Sequence, residues 1–204
     1  MNKNRRIAFL LAVLFCLSAV TFVAVAKYIK DIPFTGNVTF KADLAETFSL
    51  TESEAKPNTD GTYSLDTTTS TDKNTYILMP GVDVPKDPKI TIKGKTAVPA
   101  YLYVEVLESK NFPATVTYSM ATGWTDLEIT GPHGGEVYVY TSVLDGAVKD
   151  LTLPIIDKDT LKVSQNLPRG TTATMTFYGY MAQQVSAYAN ATETFTANFP
   201  AATP

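Results

Sequence analysis

From Phe34 to Leu44, apolar and polar positions alternate without a break. Phe34, Gly36, Val38, Phe40, Ala42 and Leu44 share one side; Thr35, Asn37, Thr39, Lys41 and Asp43 share the other. Period-two alternation predicts a β-strand with one face buried and one face in water. Eleven residues make this run long for a strand. A strand near the start of a chain can pair within its own domain, or it can complete the sheet of a neighbour.

Alternation recurs downstream. Ala100–Glu108 places Leu102, Val104 and Val106 on one face and Tyr101, Tyr103 and Glu105 on the other, which predicts a central core strand. Ala173–Ala182 is its counterpart, with Ala173, Met175 and Phe177 alternating against threonines. Shorter strands are predicted around 46–50, 62–65, 75–79, 89–93, 115–118, 123–129, 136–141 and 150–156, and a last alternating run covers 194–199. Residues 183–191 read as a short helix or loop. Pro80, Pro85 and Pro88 lack amide donors, so 80–88 is expected at an edge or as a crossover. The charged stretch 51–60 and the threonine-rich stretch 66–74 read as loops. About nine short strands and no long amphipathic helix predict an all-β, jelly-roll-like β-sandwich behind an N-terminal signal helix.

Ahead of the strands, Lys3, Arg5 and Arg6 precede an apolar run from Ile7 to Ala26, and Ala24 and Ala26 are the small residues a signal peptidase inspects. Residues 1–26 are therefore expected to be a cleaved signal peptide. The run is also about as long as a membrane span, which leaves an uncleaved anchor as the alternative. The remaining chain divides into an extended strand, 27–44, and a sandwich domain, 45–204. Without the signal, 14 basic residues face 20 acidic ones, so the formal charge moves from −3 to −6. That balance argues against nucleic acid as a partner. Cys16, the one cysteine, leaves with the signal, and disulfides and thiol chemistry leave with it.

Catalytic and metal motifs are sparse. His133 is the single histidine and sits in Gly131-Pro-His-Gly-Gly135, where it reads as an exposed turn residue. A zinc peptidase needs several ligands at fixed spacing and a general base, and no His-Glu-x-x-His is present. Asp157 with Asp159, and Asp83 with Asp87, carry oxygens suited to calcium, but surface carboxylates in turns are the commoner reading. Asn37 and Asn190 begin glycosylation triplets, a pattern frequent by chance. Tyr101, Tyr103, Tyr138 and Tyr140 fit a sugar-binding strip or cross-strand packing equally well. Trp124 reads as a core filler. No catalytic residue, metal site or cofactor is assigned.

Leu78-Met-Pro-Gly-Val-Asp-Val-Pro-Lys-Asp-Pro88, followed by Ala100-Tyr-Leu-Tyr-Val-Glu-Val106, resembles the TasA/camelysin family of secreted β-sandwich proteins of Gram-positive bacteria. The long leader ending in Ala-Val-Ala26 and the late aromatic strand Phe177-Tyr-Gly-Tyr-Met-Ala-Gln183 fit the same pattern. The resemblance implies a jelly-roll subunit of biofilm matrix fibres, exported with a SipW-type signal peptidase and located in the matrix or at the cell surface. It implies head-to-tail polymerisation by N-terminal strand donation, with a minor anchoring protein as a further partner. Phe34, Gly36, Val38, Phe40, Ala42 and Leu44 match the donor strand, with Tyr28 and Ile29 leading in. Gly36 departs from the pattern because it fills little of a groove. Two other readings stay open: a monomeric binding module with this strand paired in cis, and, from the family's name, a camelysin-like peptidase.

Overall fold

The computed structural model describes residues 30–32, 47–71, 73–95, 98–141, 143–145, 149–168 and 173–200. The expected signal segment with Ala24 and Ala26, and the alternating run Phe34–Leu44, lie outside the described residues. So does the expected signal helix. Among the described residues, no helix is long and apolar enough to cross a membrane.

The chain is all-β and sandwich-like, built among the described residues from three antiparallel sheets and one C-terminal α-helix. One sheet has five strands in the order β1 (Lys30–Ile32), β12 (Met175–Gln183), β6 (Ala100–Glu108), β9 (Glu136–Tyr140) and β8 (Trp124–Thr130). The facing sheet orders β10 (Lys149–Pro154), β5 (Lys89–Lys95), β2 (Thr47–Pro57) and β3 (Tyr63–Thr71). A small third sheet joins β4 (Val84–Pro85), β11 (Thr160–Val163) and β7 (Val116–Thr117).

The main core lies between the two larger sheets. Leu102, Val104 and Val106 of β6 and Phe177 and Met181 of β12 meet Phe48 and Leu50 of β2 and Ile90 and Ile92 of β5. At Gly179 the sheets come so close that a Cβ would stand 3.1 Å from the Phe48 ring and 3.5 Å from Leu50. A side chain there would push the layers apart. Trp124 fills the end of this core, as expected, and donates its indole N–H to the Pro154 carbonyl at 2.8 Å.

Several elements differ from the sequence expectation. The run 194–199 is not a strand: α1 (Ala191–Asn198) is a helix, capped where the Asn190 side chain accepts from the Glu193 amide at 2.9 Å. Residues 194–199 alternate by type, yet Ala191, Phe195 and Phe199 also recur at helical spacing. That spacing decides the outcome because the helix lays Phe195 and Phe199 on Tyr103, Val137, Val139, Tyr180 and Ala182, the outer face of the five-stranded sheet. Consequently Tyr103 and Glu105, on the face opposite Leu102 and Val104, are fully buried as well, and β6 is covered on both sides. The loops expected at 51–60 and 66–74 are largely strand, as β2 and β3 continue through them. Residues 75–79 form no strand. Tyr76 instead donates its hydroxyl to the Pro85 carbonyl, and Tyr63 accepts the Ile77 amide.

Phe195 is 1 % exposed, so Phe195→Ala should cost about 3–5 kcal/mol, the usual range for emptying a buried phenylalanine site. The check is urea denaturation followed by tryptophan fluorescence. A loss of no more than about 0.5 kcal/mol, the level of a surface change, would mean that α1 does not cover a second core.

Candidate functional site

β12 is where the features singled out in the sequence converge. Its nine residues pair with β6 without a shift, from Met175 opposite Glu108 to Gln183 opposite Ala100. On its other side β1 runs antiparallel, with Lys30 opposite Met181, Asp31 opposite Tyr180 and Ile32 opposite Gly179. β1 thus accounts for three of nine positions. The polypeptide passes from this strand, one proline later, into Phe34 and the alternating run.

A buried carboxylate braces β12 from its outer face. Glu105 of β6 is fully buried and stands opposite Tyr178. Its Oε1 accepts the backbone N–H groups of His133 at 2.9 Å and Gly135 at 2.8 Å, and its Oε2 accepts the Tyr180 hydroxyl. The His133 Nδ1 lies 3.0 Å from both that carboxylate and the Tyr180 oxygen, and its ring stacks on Tyr178 at 3.6 Å between centroids. An ionised carboxylate taken out of water needs several donors to offset its desolvation. The Gly131–Gly135 turn supplies them by wrapping onto the carboxylate. A Cβ on Gly131 would fall 2.4 Å from the Glu105 carboxyl carbon, and one on Gly135 would fall 2.5 Å from the Val106 carbonyl oxygen.

His133 is therefore half-buried and committed to this network, a correction to its expected place on an exposed turn. The sequence carries the signal in hindsight: glycines on both sides of a lone histidine, and a glutamate inside a strand otherwise apolar and aromatic.

The remaining candidates are dispersed. Asp83 accepts the Val163 amide at 3.0 Å and pairs with Lys162 at 2.9 Å. Asp87, 1 % exposed, accepts the Ser53 amide and hydroxyl and pairs with Lys89 at 2.7 Å. Asp157 and Asp159 flank Lys158 in a single helical turn. Among the described residues, no three His, Cys, Asp or Glu side chains gather as metal ligands. The four tyrosines do not form one strip: Tyr101 and Tyr103 lie on the outer side, whereas Tyr138 and Tyr140 pack against the main core. Asn190 is the helix cap, and Asn37 lies outside the described residues.

One more buried group bears on the same layers. Lys86 and Glu52 pair at 2.6 Å with side chains 9 % and 2 % exposed, and the ammonium sits 5.6 Å from the centre of the Phe177 ring. This pair links the segment after β4 to β2, beneath β12.

Two outcomes test these networks. Glu105→Leu leaves the His133 and Gly135 amides without their carboxylate acceptor, at about 1–3 kcal/mol for each buried group. Its melting temperature should fall well below that of the parent; an unchanged value would dissociate the turn from the carboxylate. For Asp87, burial acts to raise the carboxyl's proton affinity, but the hydrogen bonds from Lys89 and Ser53 outweigh it and hold the group below the ordinary 3.8. A carboxyl depressed in the folded state contributes stability above its unfolded value and loses it as pH falls through the folded one. Asp87→Asn should therefore cost stability at pH 7, and the gap to the parent should close as acid is added, measured by denaturation at a series of pH values. No family model, no curated protein and no solved structure matches this chain.

Proposed function

We propose that the chain is a secreted structural subunit of extracellular matrix fibres, polymerising head to tail as its N-terminal strand enters the sheet of the next copy. The observation that carries this reading is the position of β1. The chain leaves a sheet edge at Ile32 and runs directly into eleven residues of strict alternation. Burying Phe34, Val38, Phe40 and Leu44 in a neighbour is worth about 1.5–3 kcal/mol for each side chain, and a heterologous insertion that does not close on itself propagates as a filament. The leader, the acidic balance of the rest of the chain and the resemblance to the TasA/camelysin family support the same assignment. So do the partners that family implies: signal peptidase during export, a minor anchoring protein and further copies of the chain. The place of action is then the matrix or cell surface, and no catalysis is assigned.

One observation favours a second reading, a monomeric secreted or surface binding module. β1 pairs with β12 of its own chain, and a strand that begins in cis can continue in cis.

Removing residues 27–44 from the secreted protein separates the two. Filaments seen by negative-stain microscopy in the parent should disappear in the deletion. Filaments that persist, or a parent that stays monomeric at high concentration, would overturn strand donation.

A further inference from the structure

The segment 84–89, which carries the chain from β4 into β5, is held from two sides. On one side β2 grips it: Glu52 pairs with Lys86, and Ser53 gives its amide and hydroxyl to Asp87. On the other side lie β11 and the turn before it. Thr160 and Leu161 pair with Pro85 and Val84, and the Asp159 carbonyl accepts the Lys86 amide at 2.8 Å. The β2 side has its polar groups matched. The β11 side does not.

Two features mark the turn Asp157–Asp159. Lys158 and Asp159 both adopt left-handed backbone, φ 54 and φ 48, and neither is glycine. Aspartate enters that region more readily than most residues, but lysine has no such preference. Asp159 is also half-buried, and its Oδ1 is closed off from solvent and meets no hydrogen-bond donor among the described residues. A buried carboxylate oxygen without a donor is rare in native proteins, because its desolvation is left unmatched.

Neighbouring charges do not make up the difference. Across the contact stand Lys89 and Asp87, and the Lys89 ammonium is already 2.7 Å from Asp87. Lys86 turns its ammonium to Glu52, and the exposed Lys158 lies 4.0 Å from Asp157. Burial foremost raises the proton affinity of the Asp159 carboxyl above its ordinary value; Lys89 opposes that shift and Asp87 adds to it.

We infer that Asp159 is a proton-operated joint between β11 and the segment leading into β5, loosened when the carboxyl is ionised and closed when it is protonated. The contact therefore holds two carboxylates of opposite habit. Asp87 has its donors and supports the fold as a charge. Asp159 lacks them at Oδ1 and supports the fold best when neutral. A carboxyl whose proton affinity rises on folding weakens the folded state at neutral pH, and the penalty lifts as pH falls through its folded value. Asp159 takes up its proton at a higher pH than Asp87 does, so mild acid tightens the β11 side before it weakens the β2 side. This holds whether or not the chain polymerises.

The test compares the full chain with Asp159→Asn by urea denaturation at a series of pH values from 7 to 4. Asparagine keeps the shape of the side chain and tolerates left-handed backbone. Asp159→Asn should raise the urea midpoint at pH 7, the opposite of Asp87→Asn, and the gain should vanish as acid is added. In an Asp87→Asn background the gain should be smaller, since the like charge is gone and Lys89 is released. Hydrogen exchange at the Lys86 amide reads the joint itself. Corrected for the intrinsic pH dependence of exchange, its protection should grow with acid in the parent and stay level in Asp159→Asn. Asp159→Gly, which removes the carboxylate and suits φ 48, should level it too. A midpoint at pH 7 that is unchanged or lower in Asp159→Asn would overturn the inference. So would a gain that persists undiminished in acid, or Lys86 protection that follows pH alike in parent and variants.

Discussion

Nine unbroken residue pairs between β6 and β12 are the constraint on which the rest of this protein is arranged. Both strands are buried on two faces, one against the facing sheet and one beneath α1. That double burial explains why two strands can carry so much. Leu102, Val104 and Phe177 close the main core, while Tyr103 and Tyr180 close the second one. A bulge anywhere in this pairing would turn one set of side chains from core to core, so regularity is enforced from both sides. The strand most strongly held in register is also the one that stands next to the sheet's outer edge.

Glu105, Glu52, Lys86 and Asp87 are each buried with partners in place. Glu105 reaches the outer core because the Gly131–Gly135 turn offers two amides and a histidine, and Tyr180 offers its hydroxyl. Glu52 and Lys86 are buried as a pair, and Asp87 is buried with Ser53 and Lys89. Losing one member of such a pair is costlier than replacing both, because the survivor keeps its desolvation penalty. Each of these contacts ties a buried charge to a segment distant in the chain.

Bulges at β3, β8 and β10 each use an aspartate side chain to hold a local departure from the ladder. Such departures cost ladder hydrogen bonds and, at Glu128 and Asp150, left-handed backbone in residues other than glycine. They leave these edges less able to template another strand, as in soluble β proteins generally.

Much was legible in the sequence because alternation is a local property. Ala100–Glu108, residues 89–93, 123–129 and 136–141, and the core role of Trp124 follow from period-two patterning and the demands of burying large apolar groups. The helix α1 was legible too, in Asn190-Ala-Thr-Glu193 ahead of Phe195 and Phe199, but a six-residue window fits a strand equally well, and only the apolar outer face of β6 and β12 settles which it is. Whether Tyr103 and Glu105 meet water, and whether His133 is a turn residue or a clasp, depend on residues far along the chain: 28 positions separate Glu105 from His133 and 88 separate Tyr103 from Ala191. By itself the sequence determined an all-β chain and the periodicity of its strands. The tertiary structure decided the second core and the carboxylate clasp, because burial on a strand's far side and the partners of its polar groups are properties of neighbours and not of the strand.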